Sequence, residues 1–86
     1  MKTGARVLLV DDEPSILRSV KTLLSRRGYG VTLAATGEEA LERAAEVKPQ
    51  LVILDLSLPR MSGFEVCRRL REWGSVPILV LSVRGD

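Results

Sequence analysis

The sequence predicts an α/β domain built on one parallel sheet. Apolar runs alternate with amphipathic stretches at the spacing of strand–helix–strand units. Two of those runs, Val7-Leu8-Leu9-Val10 and Leu51-Val52-Ile53-Leu54, are continuous, as in strands covered on both faces. Both runs pass straight into carboxylates, Asp11-Asp12-Glu13 and Asp55. The ends of such strands are where open α/β sheets bind ligands.

The elements follow in order. Met1 to Ala5 is a short polar lead, and Arg6 to Val10 is the first strand. Asp11-Asp12-Glu13-Pro14 leads into a helix, with Pro14 in the first turn, where its missing N–H costs nothing. Ile16, Leu17, Val20, Leu23 and Leu24 form that helix's apolar stripe, and Gly28 closes it. Tyr29 to Ala35 contains a second strand whose alternation suits a sheet edge. Thr36-Gly37-Glu38-Glu39 is a capping box opening a helix with the small-residue stripe Ala40, Leu41, Ala44 and Ala45, stopped at Lys48-Pro49. Leu51 to Leu54 is the third strand, and Asp55 to Met61 is a loop. Ser62-Gly63-Phe64-Glu65 is a second capping box; Phe64, Cys67, Leu70 and Trp73 mark the inner face of the helix it opens, which ends at Gly74. Ile78 to Leu81 is the fourth strand, with Ser82 at its end.

Composition narrows the chemistry. Eighty-six residues make one small domain, and 45% hydrophobic content supports a packed core. No apolar run approaches the ~20 residues of a membrane span, and no signal sequence opens the chain, so a cytoplasmic location and no membrane partner are expected. There is no histidine, which removes His-dependent triads and the usual zinc sites. Thirteen basic against eleven acidic residues are too evenly balanced to imply a direct nucleic-acid partner. The single cysteine, Cys67, forms no internal disulfide and reads as core. Arg68, Arg69 and Arg71 read as a solvated helix face.

If the first and third strands are neighbours, about 4.8 Å apart, the acids at their ends share one small space. Like charges at that range repel, so the site calls for a cation. The bland alternative is that Asp11 and Asp12 only serve the following helix N-terminus, that Asp55 is a loop acid, and that Ser82 satisfies nearby backbone.

Taken together, Val10-Asp11-Asp12-Glu13, Asp55-Leu56-Ser57-Leu58-Pro59-Arg60-Met61-Ser62-Gly63 and Leu81-Ser82 resemble the receiver domain of bacterial two-component response regulators. The likeness covers essentially the whole chain. It implies a flavodoxin-like parallel sheet of order 2-1-3-4 over the strands present, that family's known order. It implies Asp55 as phosphoryl acceptor, Asp11, Asp12, Asp55 and the backbone carbonyl of Ser57 as Mg²⁺ ligands, and Ser82 as the hydroxyl that senses the phosphoryl group. The implied partner is a sensor histidine kinase. The implied role is that of a phosphoacceptor, not an enzyme beyond its own phosphorylation and dephosphorylation.

The family pattern continues with a fourth helix, a fifth strand followed by a lysine, and a fifth helix. None of these falls within the 86 residues. The expectation is therefore a single truncated receiver domain over residues 1–86 with no output domain, with phosphotransfer weakened by the missing lysine. Its fourth strand would lie at a bare apolar edge, which predicts self-association by edge pairing or exchanged elements. The alternative function is a self-associating interaction fragment without phosphotransfer. An aspartyl phosphatase fits poorly, because the residue two after Asp55 is Ser57 and not an acid. A dinucleotide enzyme fits worse, because no Gly-x-Gly-x-x-Gly follows the first strand.

Overall fold

A computed structural model describes residues 4–81. The described elements are β1 (Arg6–Val10), α1 (Pro14–Arg26), β2 (Gly30–Ala34), α2 (Gly37–Val47), β3 (Leu51–Asp55), α3 (Gly63–Trp73) and β4 (Ile78–Leu81). The four strands form one sheet in the order β2-β1-β3-β4, every pair parallel, as expected.

The pleat divides the sheet's side chains between two cores. Leu8, Val10, Val52 and Leu54 point to one face, where Ala40 and Ala44 of α2 and Val66 and Leu70 of α3 cover them. Val7, Leu9 and Ile53 point to the other, against Leu17, Val20 and Leu24 of α1. β1 and β3 are thereby buried on both sides, which is why their sequences run apolar without alternation.

Local chemistry sets the boundaries. Pro14 opens α1, and Gly28, at φ 92°, takes the left-handed turn after it while its N–H donates to the Ser25 carbonyl. Thr36 Oγ1 accepts from the Glu39 N–H at 3.1 Å, and Glu39 Oε1 accepts from Ala35 N–H at 2.6 Å, so the first capping box closes one residue outside its usual place. The second is half-formed. Ser62 Oγ accepts from the Glu65 N–H, while the Glu65 carboxylate turns to Arg68 and Arg69 instead.

The expected inner face of α3 is corrected. Phe64 and Trp73 are exposed, at 69% and 56%, and the buried face is Gly63, Val66 and Leu70, with Cys67 half-buried beside it. At 3.6 residues per turn, Gly63, Val66 and Leu70 stand within one narrow sector and Phe64 about a third of a turn away. Leu23 is likewise outside the α1 stripe, at 55% exposure, and Ala45 lies outside that of α2. In β4, Leu79 and Val80 are exposed, while Ile78 and Leu81 are half-buried, one against each of the two cores.

Candidate acidic site at the strand ends

β1 and β3 pair in register through Val10 and Leu54, so the next residue of each strand, Asp11 and Asp55, leaves the sheet at the same level. Both side chains are nearly buried, at 5% exposure, and Asp12 is exposed. One carboxylate oxygen from each of Asp11, Asp12 and Asp55 lies within 4.8 Å of the other two. The three predicted acids thus meet in one notch.

Backbone amides hold the two buried acids. The Glu13 N–H donates to Asp11 Oδ1 and the Ser57 N–H to Asp55 Oδ1, each over 2.9 Å. The Asp11 N–H donates to Ala34 O of β2 at 3.1 Å, which ties the first acid to the edge strand as well. The helix-serving alternative is only partly met. Asp11 accepts from an N–H just outside α1, and the Glu13 side chain caps nothing.

The electrostatics are those of a site short of positive charge. Among the described residues no salt bridge reaches Asp11, Asp12 or Asp55. Burial raises the Asp11 carboxyl above its ordinary value. The Glu13 N–H opposes this, and the neighbouring charges of Asp55, Asp12 and Glu13 add to the rise. Hard oxygen donors, two of them screened from water and all within bonding reach of one point, match a small divalent cation.

Ser57 is exposed, two residues past Asp55 along the loop, and its backbone is what the site uses. Ser82 lies outside the described residues; its neighbour Leu81 is in register with Asp55. The cavity of about 370 Å³ lined by Ala44, Lys48, Leu70, Trp73 and Val76 belongs to the opposite, amino end of the strands. Two residues that matter to the loop were not picked out as functional in the sequence. Gly37 and Met61 touch across the N-terminus of α2, and the available signal was a glycine just inside a well-capped helix start.

The chain matches the response regulator receiver domain family over residues 7–86. It is 54% identical over 80 residues to the transcriptional regulatory protein KdpE of Mycobacterium tuberculosis, covering 93% of this chain and 35% of that protein. It is 48% identical to the response regulator MprA of Mycolicibacterium vanbaalenii, covering 92% of this chain and 35% of that one. The chain therefore spans about a third of the length of these relatives. Among solved structures, the chemotaxis response regulator CheY4 of Vibrio cholerae superposes with a TM-score of 0.89 at 38% identity, over 98% of this chain and 72% of that one. The BeF3-activated N-terminal receiver domain of Klebsiella pneumoniae RstA gives 0.88 at 31%, over 94% and 69%.

Proposed function

This chain belongs to the response regulator receiver domain family, and from that premise we propose that Asp55 accepts a phosphoryl group from a sensor histidine kinase in the cytoplasm. The observation that carries the reading is the convergence of Asp11, Asp12 and Asp55 within 4.8 Å. Asp55 Oδ1 is occupied by the Ser57 N–H, and no donor among the described residues reaches Oδ2. Among the described residues no buried side-chain oxygen is left unpartnered, so Oδ2 retains access to solvent. Oδ2 is thus the nucleophile. The Oδ2–P bond forms as the bond from phosphorus to the donor's nitrogen breaks, and that nitrogen keeps the electron pair.

Asp11, Asp12, Asp55 and the Ser57 carbonyl would hold Mg²⁺, which when bound supplies charge neutralisation for the transferred group. Asp11 and Asp12 contribute the negative charge that retains the cation. The Ser57 amide keeps Asp55 in one rotamer for attack. After transfer Asp55 carries roughly −2, and the Ser82 hydroxyl donates to the new phosphoryl oxygens, which biases the adjoining loop.

Incubation with a small acyl phosphate and Mg²⁺, followed by intact-mass measurement, tests the proposal. One added phosphoryl group that is lost in Asp55→Asn and in excess chelator is the expected result. No adduct at saturating Mg²⁺ overturns it.

A second reading is favoured by β4. Among the described strands β4 pairs only with β3, and Leu79 and Val80 are 52% and 42% exposed. An isolated polypeptide of these 86 residues is expected to associate with itself at this edge, by strand pairing or exchanged elements. Light scattering over a dilution series tests it, and a folded monomer at low micromolar concentration refutes it.

A further inference from the structure

The loop between Asp55 and α3 is pressed from two sides by the first residues of two helices. Gly63, first in α3, is buried against the loop's start. A Cβ there would come within 2.5 Å of Leu56 Cα and 2.7 Å of the Asp55 carbonyl oxygen, and its N–H donates to Leu56 O at 3.2 Å. Gly37, first in α2, is buried against the loop's end. A Cβ there would come within 2.9 Å of Met61 Cβ and 3.0 Å of Met61 Cγ and Sδ. Met61 itself packs on the core beneath α2 and α3.

The Cβ–Cβ approach cannot be relieved by rotating the methionine, because Cβ is fixed to the backbone. An added methyl at residue 37 must therefore move the loop backbone or the helix. The loop carries the Ser57 amide that grips Asp55, with Ser57 four residues before Met61.

We propose that Gly37 is a positioning residue for the phosphoacceptor loop, acting through Met61. The absence of a side chain at the start of α2 lets Met61 pack, half-buried, against the core, and the packed Met61 sets where Ser57 and Asp55 stand relative to Asp11 and Asp12. The inference rests on the phosphoacceptor reading for its functional meaning, and on the Gly37–Met61 contact for its geometry.

Gly37→Ala separates this from a purely helical role. Alanine is the better helix former, so if Gly37 mattered only to α2 the substitution would raise Tm and leave the site alone. The positioning role predicts the opposite at the site. In the metal-free protein the Ser57 amide resonance shifts, and the Mg²⁺ dissociation constant, followed by that resonance, rises by about tenfold, equivalent to about 1.4 kcal/mol. Adding Met61→Ala removes Cγ and Sδ but leaves Cβ, so part of the affinity returns. Met61→Ala alone unseats the loop without crowding it, and its Ser57 amide exchanges faster with solvent. An unmoved Ser57 resonance and Mg²⁺ midpoint in Gly37→Ala, or unchanged exchange in Met61→Ala, overturns the proposal. The metal-free shift is read whether or not Asp55 accepts phosphate, so failure of the phosphoacceptor reading would appear separately, as a wild type that gains no phosphoryl mass.

Discussion

The backbone N–H of Ser57 donates to Oδ1 of Asp55 over 2.9 Å, so the residue two places past the acid fixes the acid's orientation. The serine hydroxyl has no part in that bond. Ser57→Ala is therefore expected to leave stability and phosphorylation rate unchanged. Ser57→Pro deletes the donor and is expected to cost about 1.5–3 kcal/mol, the range for a hydrogen bond to a charged group. Chemical denaturation of both variants checks this; equal stability of the two would contradict it.

Asp11 and Asp55 face each other nearly buried, and their repulsion is a load on the metal-free fold. The sign for Asp11 follows from its raised value, caused first by burial and then by its acidic neighbours. The folded state holds this proton more tightly than the unfolded state. The resulting stability is full below about 3.8, the ordinary value, and is lost as pH rises through the raised one. At neutral pH in chelator, Asp55→Asn is expected to stabilise the protein. A gain of about 1 kcal/mol corresponds to roughly 4–8 °C in a domain of this size. Mg²⁺ at 100 times its dissociation constant should lift the wild type by about 2.7 kcal/mol and the variant by much less, which reverses the order. Calorimetry with and without Mg²⁺ measures both, and a variant less stable than wild type in chelator would argue against a repulsive notch.

On α3, Arg68 and Arg69 both donate to the Glu65 carboxylate, and hydrogen bonding from Arg68 chiefly lowers its pKa to about 2. For a depressed acid the contribution is present above its ordinary value, 4.5, and is lost as pH falls through about 2. Glu65 keeps 34% of its side chain exposed, so salt screens the pairs. The Glu65 carboxyl carbon should titrate near 2 at low ionic strength and closer to 4.5 in high salt. A salt-independent midpoint near 4.5 would show that the arginines do not hold it.

The strands and the acids were legible in the sequence because each was written in one local signal. In β1 and β3 a continuous apolar run marks a doubly covered strand, and a carboxylate directly after it marks where the acids gather; the same kind of run in β4, Ile78 to Leu81, leaves Leu79 and Val80 exposed. The inner face of α3 was harder to read. Phe64 and Trp73 are the largest apolar side chains there, but Phe64 stands outside the sector that faces the sheet, and Trp73, close to that sector, is the helix's last residue; Gly63, Val66 and Leu70 mark the inner face, because the backbone approaches closely at Gly63. The Gly37–Met61 contact was illegible for a related reason, since it joins residues 24 positions apart by shape alone. The corrected face predicts that Leu70→Ala costs about 2–5 kcal/mol. Phe64→Ala should stay within about 0.5 kcal/mol, as exposed positions do. Urea denaturation of the two separates the faces, and a larger loss at Phe64 would restore the face expected from the sequence.

At the far end of the sheet, Arg6 joins the start of β1 to the end of α2. Its Nε donates to Val47 O at 2.8 Å and to Lys48 O at 3.1 Å, and Nη2 donates to Lys48 O at 2.9 Å. These are carbonyls that a helix C-terminus leaves without intrahelical partners, and a cation suits them twice over, as donor and as charge against the helix dipole. Lys48 meanwhile sits in the left-handed region at φ 49° and ψ 69°, a conformation that costs a side chain about 1–2 kcal/mol. Lys48→Gly keeps the carbonyl Arg6 needs and removes that strain, so it is expected to stabilise by about 1 kcal/mol. Arg6→Ala leaves the carbonyls to water and is expected to cost about 1–2 kcal/mol. Because the two act at one junction, Arg6→Ala with Lys48→Gly should regain most of the Arg6 loss. A Lys48→Gly protein that melts below the wild type would mean the left-handed cap is not strained.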